Sequence, residues 1–101
     1  MAELLGRGDI DTALAALAGW EFEQDRLVKT VQVPEDSQDS LVEAVAKVAD
    51  DMDHHPDVVR EADTVSFRLW THTANGVTSK DVDLAARIDR QLSGAGSDNG
   101  S

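Results

Sequence analysis

The chain has 101 residues, 9 Lys and Arg against 20 Asp and Glu, a formal net charge of −11 and no cysteine. Such a length makes one domain with a modest core, where a concave site forms more easily at an edge or between subunits than in an enclosed cavity. The missing cysteines exclude disulfides and thiolate metal sites, and the acidity excludes nucleic acid or an anionic membrane as direct partner, since phosphate binding needs clustered Lys and Arg.

No apolar run approaches the ~20 residues that cross a bilayer, and "MAELLGRGD" has acids where a secretory leader carries basic residues. The expected location is the cytoplasm. Asp outnumbers Glu by 14 to 6. Two readings of this excess stay open, an adaptation to high salt and an ordinary acidic surface.

In chain order, Asp9–Ala18 reads as a helix, with Asp9 as N-cap, Asp11 in the first turn, and Ile10, Leu14 and Leu17 at helical spacing. Gly19 stops it. Trp20–Gln24 and Arg26–Val33 read as strands around a turn near Asp25, with Trp20 and Phe22 on one face and Glu21 and Glu23 on the other. Pro34 ends the second strand. From Ser37 to Asp53 the period becomes 3.6, carried by Leu41, Val45, Val48 and Met52, with Asp36 or Ser37 as cap. Asp57–Glu61 and Thr64–His72 follow as strands; in the second, Val65, Phe67 and Leu69 share one face, and Ser66, Arg68, Trp70 and His72 the other. "TANG" (Thr73–Gly76) reads as a loop, and Thr78 or Ser79 caps a helix over Lys80–Leu92. Residues 1–92 form the single domain and Ser93–Ser101 a flexible tail. The order α-β-β-α-β-β-α predicts an α+β fold, a four-stranded antiparallel sheet with helices packed on one face.

The chain's three histidines are His54, His55 and His72. Asp50 stands four residues before His54, so a helix running that far would let the carboxylate orient that imidazole. Pro56 biases His55 toward extended backbone, so the two adjacent rings should point apart. Adjacent histidines converge poorly on one ion, which speaks against a metal site. Polar residues at a helix end, and imidazoles that move protons near neutral pH, remain two open readings of the same pattern.

The run Asp50-xxx-His54-His55-Pro56, with His72 eighteen residues after His54 and Asp81 nine further on, closely resembles the signature of the pterin-4a-carbinolamine dehydratases. Gly19–Trp20, Thr71–His72 and Gly76–Thr78 resemble that family's flanking pattern, and the likeness covers about residues 10–92. It implies a hydro-lyase that dehydrates 4a-hydroxytetrahydrobiopterin to the quinonoid dihydropterin in tetrahydrobiopterin recycling, with no cofactor and no metal. It further implies His54 and His72 as the acid–base pair and His55 as a pterin-binding residue. Asp50 would support His54, Asp81 would support His72, and Pro56 completes the motif. A homodimer or homotetramer is implied as well. One departure is the family's aromatic residue beyond His-His-Pro, where Ala62 or Asp63 stands here. That departure favours the alternative, a catalytically weak relative acting as a protein-binding or assembly module.

Overall fold

A computed structural model describes residues 3–97. Its elements are α1 (Arg7–Ala16), β1 (Glu21–Glu23), β2 (Arg26–Gln32), α2 (Glu35–Met52), β3 (Asp57–Glu61), β4 (Thr64–Leu69) and α3 (Ser79–Ser97). The order is the one expected, and every strand pairing is antiparallel, in the sheet order β1-β2-β4-β3.

The two hairpins are set by short turns. Gln24 and Asp25 both have positive φ, +50° and +64°, the two-residue geometry whose twist matches paired strands. Ala62, at φ +44°, turns β3 into β4. Along β4 the period of two places Val65, Phe67 and Leu69 on the core face, all fully buried. They meet Leu27 of β2, Leu41 and Val45 of α2, and Leu84 and Ile88 of α3. Each such side chain contributes roughly 1.5–3 kcal/mol by leaving water. The other sheet face is polar, with a Thr30–Ser66 hydroxyl pair at 2.7 Å.

Several boundaries move, each for a local reason. Helix α1 starts at Arg7 with Gly6 as N-cap, so Asp9 lies in its first turn. At α2 the N-cap position is Pro34, and the expected caps Asp36 and Ser37 fall inside the first turn, where Glu35 and Asp36 suit the helix dipole. Strand β4 stops at Leu69, not His72. The pairing of β4 with β3 ends at Arg68 and that with β2 at Leu69; Thr71 bridges Gly76 instead. Helix α3 runs to Ser97, past the Ser93 where a tail was expected. Its last turn follows Leu92 without an apolar stripe, so periodicity could not reveal it. Residues 98–101 of that expected tail lie outside the described residues.

Candidate active site

The site begins where α2 ends. Asp53 takes the left-handed conformation (φ +53°), and the N–H groups of Asp53 and His54 donate back to the carbonyls of Asp50 and Ala49 at 3.1 and 3.0 Å. This is the double hydrogen-bond closure of a Schellman motif, which satisfies the orphan carbonyls and reverses the chain. His54 therefore lies outside the helix, and its ring turns toward the start of α3.

There it meets Asp81. His54 Nε2 lies 2.6 Å from Asp81 Oδ1, with the imidazole 11% exposed and the carboxylate fully buried. Thr78 and Asp81 form a capping box: Lys80 N–H donates to Thr78 Oγ1 at 3.2 Å, and Thr78 N–H donates to Asp81 Oδ2 at 2.9 Å. Thr71 Oγ1 donates to the same Oδ2 at 2.9 Å. An ionised carboxylate only accepts, so the His54 nitrogen facing it carries the proton and Nδ1 is left for other partners.

His55 turns the other way, to Asp50 Oδ1 at 2.7 Å, with both side chains more than half exposed. The two rings do point apart. The pairing differs from the expectation on both counts: Asp50 holds His55 and not His54, and Asp81 holds His54 and not His72. The i,i+4 argument fails because α2 ends at Met52, two residues before His54.

His72 is exposed, in the loop after β4. Its ring centroid lies 4.5 Å from that of Trp70, and the Arg26 guanidinium sits over the Trp70 ring at 4.1 Å. Asp57 pairs with Arg68, so the segment before β3 (His54–Pro56) and the segment after β4 (Trp70–His72) leave the sheet at the same end. The three imidazoles thus share one end of the sheet, and Thr71 and Asp81 connect the two segments by hydrogen bonds.

Position 62 does not belong there. Ala62 lies past the far end of β3, a five-residue strand spanning about 16 Å, and its carbonyl accepts from the buried Gln38 Nε2 at 2.8 Å. An aromatic residue at this position would stand far from the imidazoles. Trp20 is buried, its indole N–H donating to Asp89 at 2.9 Å, which makes it a core residue.

Sequence reasoning missed Arg26, and gave Thr71 a place in the flanking pattern but no contact. The Thr78-x-x-Asp81 spacing is itself a capping-box signal that points to a buried Asp81, but no local pattern announces a hydroxyl or a guanidinium brought in by tertiary packing. Among the described residues no group of three His, Cys, Asp or Glu is placed to hold a metal ion. A concavity of about 720 Å³ lies elsewhere, between the end of β2, the first half of α2 and Gln91–Leu92 of α3, and no histidine lines it.

Comparison with known proteins finds one family along nearly the whole chain. A family model described as pterin 4 alpha carbinolamine dehydratase matches residues 3–91. A protein of Mycolicibacterium smegmatis, provisionally named pterin-4-alpha-carbinolamine dehydratase, is 42% identical over 92 residues, covering 89% of this chain and 97% of its own. One of Sulfolobus acidocaldarius, with the same provisional name, is 34% identical over 87 residues, covering 85% and 96%. A crystal structure described as a transcriptional coactivator/pterin dehydratase from Brucella melitensis superposes with a TM-score of 0.81 at 26% identity, covering 86% of this chain and 96% of that one.

Proposed function

The chain belongs to the pterin 4 alpha carbinolamine dehydratase family, and on that premise we propose that it dehydrates 4a-hydroxytetrahydrobiopterin by histidine acid–base catalysis. The carbon–oxygen bond at C4a breaks as an acidic imidazole gives its proton to the departing hydroxyl, which leaves as water. A second imidazole takes a ring N–H proton, and the electron pair of that bond becomes the new C=N of the quinonoid dihydropterin. Nothing is oxidised or reduced, and the two protons return the imidazoles to their starting states once exchanged. Positioned groups of this kind operate near neutral pH without metal or cofactor.

The supporting observation is the carboxylate behind His54. Asp81 fixes that ring and its tautomer, so a single nitrogen, Nδ1, is offered for proton exchange. His72 is the other member of the pair, and His55, held by Asp50, binds the pterin. The reaction would serve tetrahydrobiopterin recycling in the cytoplasm. The test is to add 4a-hydroxytetrahydropterin and follow the appearance of the quinonoid product, with and without a chelator. A rate well above that of buffer, unchanged by the chelator, is expected; a rate equal to that of buffer would refute the assignment.

The second reading, a binding or assembly module, draws on the word coactivator in the description of the Brucella structure. Failure of turnover in a folded preparation would favour it.

A further inference from the structure

His54 and His55 each have one ring nitrogen against a carboxylate. The His72 side chain has no hydrogen-bond partner among the described residues, and its aromatic contact is with Trp70, at 4.5 Å between centroids and 30° between planes. Trp70 is only half-buried and lies beyond the end of β4, so neither the core nor a strand ladder holds it. What holds it is Arg26, the first residue of β2, at 4.1 Å from the ring centroid. The guanidinium is pinned in turn, since Arg26 Nη1 donates to the Gln24 carbonyl at 2.9 Å, inside the tight turn between β1 and β2.

From this chain of contacts we propose that Trp70 is the positioning residue of His72, with Arg26 as its clamp. The inference rests on the reading of His72 as one of the acid–base pair. A cation over the face of an indole is attracted to it, which biases the conformation of a loop side chain. Stacking restrains the imidazole plane without occupying either nitrogen. His72 thus keeps both nitrogens for substrate and water, whereas His54 and His55 each commit one. The rigid turn at Gln24–Asp25, distant in sequence, sets where that plane lies.

The experiment compares Trp70→Phe, Trp70→Ala and Arg26→Met by dehydration kinetics and by the NMR signals of the His72 ring protons, which the indole shifts through its ring current. Trp70→Ala should lower kcat by about 10- to 10²-fold, the effect of a small misplacement of a reacting group, with KM nearly unchanged. Its His72 signals should move toward those of a free imidazole. Trp70→Phe should restore most of kcat and part of the shift, and Arg26→Met should fall between. A folded Trp70→Ala protein with wild-type kcat, or with unmoved His72 signals, would overturn the proposal. Should Trp70→Ala not fold, Arg26→Met decides through the same signals. A wild-type protein that turns over no pterin counts against the dehydratase reading alone, because the ring-proton signals still report whether the stack holds His72.

Discussion

At Asp81 one buried carboxylate caps α3, accepts from Thr71 and orients His54. Its structural and its orienting roles separate by substitution. Asp81→Asn keeps the shape and an acceptor for the Thr78 N–H, but its NH₂ group facing His54 would force the imidazole to accept and move the ring proton to Nδ1. Turnover should fall on the order of 10²-fold or more with a modest stability loss of about 1 kcal/mol. Asp81→Ala leaves buried donors without partners and should cost about 2–4 kcal/mol in urea denaturation. Wild-type turnover in Asp81→Asn would remove the positioning role. His54→Ala and His72→Ala should each lower dehydration by a factor on the order of 10²–10⁴, the usual contribution of one positioned acid or base. Equal rates for both folded variants and the wild type would end the acid–base assignment.

Whole elements were readable because their periods differ. The alternation of Val65, Phe67 and Leu69 survives as a buried face, and of the 3.6-residue stripe Leu41 and Val45 are buried while Val48 and Met52 are partly so. What local pattern could not show is the partner of each imidazole. That depends on the left-handed Asp53, one residue that redirects His54 across to α3, and aspartate there carries no signal that glycine would have carried. Nor could it show that β4 ends at Leu69, where its pairing with β2 stops. The turn at Gln24–Asp25 uses two non-glycine residues where φ is positive. Replacing Asp25 by Gly should therefore raise stability by about 0.5–1 kcal/mol, seen as a later denaturation midpoint. An unchanged or earlier midpoint would mean that the aspartate is already at ease there.

For the molecule as a whole, the strand order leaves β1 and β3 as edges, and β3 exposes Val59 at 42%. Open edges invite pairing, and we expect a homodimer or homotetramer that uses a sheet edge or α2. A charge of −11 per chain opposes that association at low ionic strength, while salt screens it over a Debye length of ~10 Å at 0.1 M. Sedimentation across a salt series should find stronger association as salt rises. A monomer throughout would refute the assembly, and dissociation on adding salt would refute the charge argument.

The same strand order gives the histidines unequal footing in time. His54 and His55 lead into an edge strand bonded on one side only, whereas His72 follows a central strand bonded on both. Local opening starts where fewest bonds must break together. The amides of β3 should therefore exchange with deuterium well before those of β4, and the His54–His55 half of the site should loosen while the His72 half stays in place. A second subunit adding a strand to β3 would slow that exchange, so that assembly, without touching a histidine, would lengthen the time for which all three stand together.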